Sequence, residues 1–161
     1  MLEKKSSTQP RNEEGILFLC VANSARSQMA EGLARARCDS RMVIQSAGSQ
    51  PGSVNPFAVA VLAEVGIDIR AQRSKHVDTI DPVTVGTVVT LCTEEVCPAY
   101  PHQVTRFSWS LPDPAGLGGT DEEQLGRFRV IRDEITRRLD DLPVLSLQGD
   151  APAAAPRLTG A

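Results

Sequence analysis

The chain has 161 residues, enough for one domain with its own core, and its 41% hydrophobic and 23% charged residues are ordinary values for a globular protein. A net charge of −3 gives no reason to expect a nucleic acid or an anionic membrane as a partner. The sequence contains no signal peptide and no apolar run near the roughly 18 residues of a membrane span, so we expect a cytoplasmic protein.

The four cysteines point to the class of chemistry. In the cytoplasm, cysteines more often serve catalysis, redox reactions or metal binding than a disulfide scaffold. Zinc fits poorly, because no Cys-x2-Cys pair exists and His76 and His102 stand alone. Cys38 has no partner in the pattern and is expected to be a half-buried hydrophobe. The sequence therefore predicts catalytic or redox thiols and no metal site.

Two strands and a helix are predicted near the N-terminus. Residues 1–14 form a charged arm that we expect to be flexible. The apolar run Ile16–Leu19 predicts a buried parallel strand. After a loop, a helical pattern starts at Met29 and continues to about Arg37, and Met42–Gln45 predicts the second strand.

The middle of the chain adds a helix and two strands. Pro56 begins a helix that Gly66 ends, and a weak helix is expected at 77–80. Thr87–Leu91 is a β-branched run without charged residues and predicts the third strand. Thr105–Trp109 alternates and predicts a fourth, more exposed strand.

A long helix and a tail are predicted at the C-terminus. Asp121 is expected to cap the helix, and from Pro143 the chain is rich in Ala and Pro. Residues 15–142 are therefore predicted as one domain and residues 143–161 as a flexible tail. Alternating strands and helices predict an α/β doubly wound, four-stranded parallel sheet with helices on both faces and ligands at the carboxyl ends of the strands.

The segment between the first strand and the first helix has the pattern of an anion-binding loop. Cys20 ends the strand, and Arg26 follows ahead of the helix. Backbone N–H groups and the helix N-terminus attract a tetrahedral oxyanion, and an arginine binds two of its oxygens at once. The same positive field favours the nucleophilic thiolate of Cys20. The residues predicted to bind the anion are Val21, Ala22, Asn23, Ser24, Ala25, Arg26 and Ser27.

A buried apolar cysteine followed by a surface arginine is the alternative interpretation of Cys-x5-Arg. The strand before the loop, the helix after it and the polar residues inside it favour the anion site. Asn23 tolerates left-handed backbone geometry, and Ser24 and Ser27 can hydrogen-bond the loop or the thiolate.

The stretch CVANSARSQMAEG, residues 20–32, resembles the oxyanion loop of low-molecular-weight tyrosine phosphatases and, more closely, that of the arsenate reductases built on the same fold. The resemblance covers roughly residues 15–142 and implies a flavodoxin-like strand order.

Two further cysteines follow the third strand. Cys92 leaves this strand at the same sheet edge as Cys20, and Cys97 follows five residues later. A helical turn would separate Cys92 and Cys97 by about 7.5 Å, beyond the roughly 7 Å Cα limit of a disulfide, so they can bond only if the turn unwinds. Pro98 makes unwinding easier. The alternative interpretation is that Cys92 and Cys97 are buried and unreactive. The series Cys20, Cys92, Cys97 resembles the relay of thioredoxin-coupled arsenate reductases, which commonly place more residues between the second and third cysteines.

Asp113 lies between two prolines in the loop after the fourth strand. It fits a plain turn, and it also fits a general acid that protonates the oxygen leaving the oxyanion. The sequence Asp-Pro-Ala-Gly resembles the acid loop of the family and favours the second role. Trp109, just before this loop, is expected to pack in the core or against the loop rather than to contact a substrate.

The resemblance also bears on a structural cation. Glu31, Ser46 and Asp68 fall where a subset of the reductases holds such an ion, but Lys75 stands where that subset has an acidic ligand. We expect the ammonium group of Lys75 to repel a cation and to replace its charge, and Glu31 fits a solvated helix position equally well.

The implied activity is arsenate reduction without a cofactor, by a monomer that thioredoxin re-reduces. In this scheme Cys20 attacks arsenate, Asp113 protonates the departing water, and Cys92 and Cys97 carry the disulfide outward. A low-molecular-weight tyrosine phosphatase needs only Cys20, Arg26 and Asp113, but the 4% aromatic content offers few walls for a phosphotyrosine ring. A thiol sensor or arsenite-binding protein leaves Arg26 and Asp113 unexplained.

Overall fold

The computed structural model describes residues 15–38, 41–93 and 98–146. Four strands form one sheet: β1 (Ile16–Cys20), β2 (Ile44–Gly48), β3 (Thr87–Thr90) and β4 (Thr105–Ser108). The strand order is β2-β1-β3-β4, and every pair of neighbours is parallel. The predicted α/β fold and its flavodoxin-like order are therefore confirmed.

The described part of the chain contains four α-helices: α1 (Arg26–Arg37), α2 (Pro56–Ala63), α3 (Asp121–Asp140) and α4 (Pro143–Ser146). Two short 3-10 helices, Val77–Thr79 and Pro82–Thr84, precede β3. None of the described helices is long and apolar enough to cross a membrane.

Two helix starts differ from the prediction. Helix α1 begins at Arg26, three residues before Met29, because its first turn carries polar side chains that serve the loop and so do not show in an apolar pattern. Helix α3 is capped by Thr120, whose hydroxyl accepts a hydrogen bond from the backbone N–H of Glu123 at 3.2 Å. Asp121, the predicted cap, is the first helical residue instead.

The flexible tail was predicted to begin at Pro143, which is too early. Pro143–Ser146 form the short helix α4, and Val144 and Leu145 pack against the main core. This apolar contact holds the chain where composition alone predicts flexibility. The rest of the predicted tail and the N-terminal arm lie outside the described residues.

Strand β1 separates two apolar clusters because its side chains alternate between the faces of the sheet. Phe18 packs with apolar side chains of α1, α2 and α3. Leu19 faces the other side, where Ile80 and Val85, at the ends of the two 3-10 helices, cover the sheet. Since the strands are parallel, the segments that leave β1, β3 and β4 meet at one edge.

Candidate active site

The loop after β1 is held through its carbonyl groups. The carbonyl oxygens of Val21, Ala22 and Ser24 accept backbone hydrogen bonds of 2.9, 3.0 and 3.0 Å from residues in the segment 50–55. In a planar trans peptide the C=O and N–H groups point in opposite directions, so the N–H groups that follow these carbonyls face away from that segment. N–H groups on one side of a loop, ahead of the N-terminus of α1, suit the binding of an oxyanion.

Asn23 makes the turn inside this loop. Its φ of 47° is left-handed, as expected from the sequence. Its buried amide Nδ2 donates to the hydroxyls of Ser27 and Ser46 at 2.8 and 2.9 Å, and its Oδ1 accepts from the backbone N–H of Lys75 at 2.9 Å. The sequence indicated only the backbone tolerance of Asn23, because Ser46 and Lys75 are distant in the chain.

Cys20 lies at the base of the loop with a free thiol and is 3% exposed. Its Sγ is 2.7 Å from Oγ of Ser27. Because the hydroxyl oxygen of Ser27 already accepts from Asn23, its proton is available for Cys20. A thiolate can only accept, so Ser27 donates to the ionised form, as the sequence led us to expect.

Arg26 connects three loops. Its Nη1 donates to the carbonyl oxygens of Leu91 and Leu111 at 3.2 and 2.8 Å, and its Nη2 lies 3.9 Å from Oδ2 of Asp113. Within the described residues, Nε makes no hydrogen bond, so Nε and Nη2 are available for an oxyanion. The guanidinium side chain is 11% exposed, so it is not the surface arginine of the alternative interpretation.

Asp113 combines both predicted roles. Its Oδ1 accepts from the backbone N–H of Ala115 at 3.0 Å, which is a turn contact, while its side chain is 56% exposed near Arg26. On α3, Arg127 donates to the carbonyl oxygens of Pro114 and Gly118 and so holds the loop that carries the acid. Sequence reasoning missed Arg127, which has no distinguishing pattern on its helix.

Cys92 lies two residues beyond β3, is 7% exposed and is disulfide-bonded, whereas Cys20 and Cys38 carry free thiols. The carbonyl of the preceding residue, Leu91, is the one that accepts from Arg26. Cys97 lies outside the described residues, and so does most of the helical turn expected before it.

The remaining loop residues divide between the rim and the core. Ala22 is exposed, whereas Ala25, the N-cap residue of α1, is buried in the core. Ser24 donates its hydroxyl to the carbonyl oxygen of Ser53 at 2.7 Å. The prediction that Ser24 bonds the loop or the thiolate is therefore wrong, because its hydroxyl proton goes to the neighbouring segment.

Glu31 is 1% exposed, so a solvated position is wrong for it. Its Oε1 accepts from the hydroxyl of Ser46 at 3.3 Å and lies 3.6 Å from Nζ of Lys75. The ammonium group thus stands beside this carboxylate, as expected. Asp68 is instead exposed, and hydrogen bonds from Arg70 lower its pKa to about 2.

The described residues contain no group of three or more histidines, cysteines and acidic side chains that could hold a metal ion. Trp109 is buried beside Phe18, with ring centroids 6.2 Å apart, which confirms its place in the core. Cys38 is half-buried, and burial raises the pKa of its thiol.

Comparison with protein families identifies the fold's relatives. The model of the low molecular weight phosphotyrosine protein phosphatases matches residues 15–151. An arsenate reductase of Halalkalibacterium halodurans is 44% identical over 130 residues, which make up 80% of this chain and 94% of that protein.

Solved structures give the same picture. An arsenate reductase in the phosphate binding state has a TM-score of 0.69 and 30% identity, with 83% of this chain and 98% of that chain covered. A thioredoxin-dependent arsenate reductase of Corynebacterium glutamicum has a TM-score of 0.59 and 29% identity, with 83% of this chain and 62% of that chain covered.

Proposed function

The chain belongs to the family of low molecular weight phosphotyrosine protein phosphatases, and we propose that it works as an arsenate reductase that receives its electrons from thioredoxin. The observation that carries this proposal is the pair of cysteines at neighbouring strand ends. Cys20 is free at the base of the oxyanion loop, and Cys92 is disulfide-bonded beyond the adjacent strand. A phosphatase has no use for the second thiol, whereas a reductase requires it.

The first step is attack on arsenate. The loop N–H groups and the Nε and Nη2 groups of Arg26 bind the oxyanion, and the Cys20 thiolate forms a bond to arsenic(V). One arsenate oxygen leaves as water, with a proton supplied by Asp113. The distance of 3.9 Å between Oδ2 of Asp113 and Nη2 of Arg26 supports this role, since it brings the acid next to the bound anion.

The second step transfers the electrons. The thiolate of Cys92 attacks Sγ of Cys20, the sulfur–arsenic bond breaks, and its electron pair remains on arsenic, which leaves as arsenite. Cys20 and Cys92 are then joined by a disulfide. The thiolate of Cys97 attacks Sγ of Cys92 and releases the Cys20 thiolate for another cycle.

Thioredoxin is the proposed partner because the cycle ends with a disulfide between Cys92 and Cys97 that an external reductant must open, and a dithiol protein does so in two exchange steps. The structural relative from Corynebacterium glutamicum, described as thioredoxin-dependent, supports this choice. A relay that needs its thiols in the reduced form before each cycle also supports a cytoplasmic location, where thiols are kept reduced. All the proposed groups lie within residues 15–142 of one chain, which supports a monomeric enzyme and this range as its catalytic domain.

A phosphatase activity shares the first step. Cys20, Arg26 and Asp113 are the groups that phosphate-ester cleavage needs, and phosphate resembles arsenate in charge and shape. We expect weak hydrolysis of an activated aryl phosphate as a side activity, independent of Cys92.

The test is arsenate-dependent oxidation of NADPH in the presence of thioredoxin and thioredoxin reductase. Wild-type protein should support turnover, Cys92→Ser should not, and Cys38→Ser is the matched control because Cys38 lies outside the site. Aryl phosphate hydrolysis in wild type without any arsenate-dependent NADPH oxidation would contradict the proposal and favour the phosphatase.

A further inference from the structure

A buried ion pair lies behind the oxyanion loop. The side chain of Glu31 is 1% exposed, and each of its two carboxylate oxygens lies near a different cation. Nη1 of Arg35 is 3.7 Å from Oε2, but Arg35 is 53% exposed and donates Nε and Nη2 to the carbonyl of Ile44. Nζ of Lys75, 32% exposed, is 3.6 Å from Oε1. Lys75 is therefore the better shielded of the two counter-charges.

The oxygen beside Lys75 also begins a chain of hydrogen bonds that ends at Cys20. Oε1 of Glu31 accepts from the hydroxyl of Ser46 at 3.3 Å, and the oxygen of that hydroxyl accepts from Nδ2 of Asn23 at 2.9 Å. The second hydrogen of Nδ2 goes to Ser27 at 2.8 Å, and Ser27 contacts Cys20 at 2.7 Å. Asn23, Ser27 and Ser46 are fully buried, so water cannot replace these partners.

The direction of each bond depends on the charge of Glu31. An ionised carboxylate only accepts, so Ser46 must donate to it and can accept from Asn23. The backbone N–H of Lys75 fixes the other end of the Asn23 amide by donating to Oδ1 at 2.9 Å. A protonated Glu31 would donate to Ser46, whose own proton would then compete with the Asn23 amide. Taking the counter-charge from a buried carboxylate favours that protonated form.

We propose that Lys75 is a positioning residue for the nucleophile: its ammonium group keeps Glu31 ionised, which orients Ser46 and Asn23 so that Ser27 donates to the Cys20 thiolate. The inference deepens the proposed function, on which it rests for the role of Cys20. It concerns only the state of the thiol, so it can be tested without arsenate or thioredoxin.

The experiment measures the alkylation rate of Cys20 by iodoacetamide against pH, in fully reduced protein, by mass spectrometry of the peptide that carries Cys20. Lys75→Met removes the charge but keeps the aliphatic stem and the backbone N–H. We expect it to slow alkylation at pH 6.5 by about tenfold, the size expected when a hydrogen bond to a charged group is weakened. Lys75→Arg should alkylate like wild type, and so should Arg73→Met, which removes a neighbouring exposed cation.

The decisive variant is Glu31→Gln combined with Lys75→Met. A glutamine Oε1 still accepts from Ser46 and needs no counter-charge, so the double variant should recover the wild-type rate. Equal rates in Lys75→Met and wild type would overturn the proposal. Equally slow alkylation in Lys75→Met and in the double variant would overturn it too, since Lys75 would then act by packing alone. If Lys75→Met does not fold, a folded double variant in which Cys20 alkylates more slowly than in wild type would also overturn the proposal.

The two proposals fail separately. Wild type that reduces no arsenate but shows the expected alkylation series would remove the proposed function and leave the role of Lys75 intact. If wild type reduces arsenate but Cys20 in Lys75→Met alkylates at the wild-type rate, the proposed function stands and the role of Lys75 is removed.

Discussion

Arg26 donates a hydrogen bond from Nη1 to the carbonyl oxygen of Leu91, the residue immediately before Cys92, at 3.2 Å. The same nitrogen donates to Leu111, two residues before Asp113, at 2.8 Å. One guanidinium therefore sets the spacing between the oxyanion loop, the relay cysteine and the acid. Because both acceptors are backbone carbonyls, the remaining N–H groups of Arg26 are held in one orientation whatever side chains surround them.

Arg26→Lys tests this connection. A lysine keeps the charge but lacks the planar fork and cannot reach both carbonyls while binding the anion. We expect arsenate to bind more weakly and turnover to fall, and we expect amide hydrogen exchange to quicken at Leu91 and Leu111. Steady-state kinetics and exchange mass spectrometry measure the two effects, with Arg73→Lys as the control. Unchanged exchange in Arg26→Lys would mean that the carbonyl contacts do not hold these loops.

Asp113→Asn separates the acid from the turn. An asparagine oxygen still accepts from Ala115, so the turn should persist while the transferable proton is lost. The chemical step should slow by roughly a hundred- to ten-thousandfold, with little change in arsenate affinity. Single-turnover kinetics at several arsenate concentrations separate the rate of the chemical step from the arsenate affinity. Full activity would leave Asp113 with the turn role alone.

Strand β2 approaches the oxyanion loop closely at Gly48, and a substitution there tests this approach. A Cβ built at Gly48 overlaps the carbonyl oxygen of Val21 and stands 2.8 Å from that of Cys20. Gly48→Ala should therefore displace the loop, cost about 1–3 kcal/mol of unfolding free energy and reduce turnover. Gly52→Ala is the matched control, because a Cβ there meets no atom within 4 Å. Urea unfolding and turnover measure both variants, and equal results would show that the approach is not tight.

The sequence predicts the sheet and the three chemical loops because their signals are local. The run Ile16–Leu19 is apolar throughout, and Cys20 and Arg26 stand at fixed distances from it. Parallel strands then place the segments after β1, β3 and β4 at one edge without further information. The start of α1 was missed because its first turn shows no apolar periodicity, which is the local signal used to find helices.

The supporting contacts could not be predicted, because they join residues far apart in the chain. Asn23 meets Lys75 across 52 positions, and no local pattern shows that its amide serves two serines. Arg127 holds the acid loop from a helix on which Arg129 and Arg137 form ion pairs with nearby carboxylates, so nothing in its spacing sets it apart. The burial of Glu31 follows from packing of the whole domain.

Cys20 and Cys38 should differ in reactivity. Burial raises the pKa of Cys38, so its thiolate forms only at higher pH than an ordinary thiol, whereas the loop N–H groups, the helix N-terminus and Ser27 favour the Cys20 thiolate. Iodoacetamide at pH 6.5 should therefore modify Cys20 before Cys38. Peptide mapping gives the order, and equal rates would mean that the loop does not favour the anion.

The cysteine relay predicts which disulfide accumulates when thioredoxin is absent. Cys97→Ser protein, fully reduced and mixed with stoichiometric arsenate, should release one equivalent of arsenite and stop with Cys20 joined to Cys92, because this step needs only two thiols. Wild type should release the same equivalent but stop with Cys92 joined to Cys97 and Cys20 free.

Cys92→Ser should release no arsenite, since no thiolate can then displace arsenic from Cys20, yet it should keep any aryl phosphatase activity. Cys38→Ser should match wild type in both assays. The released arsenic species and the mapped disulfide peptides together report where each variant stops. The expected order follows from the relay, in which Cys92 must receive the disulfide before Cys97 can attack it. Arsenite release by Cys92→Ser at the wild-type level would disprove the relay and leave Cys20, Arg26 and Asp113 as the site of a phosphatase.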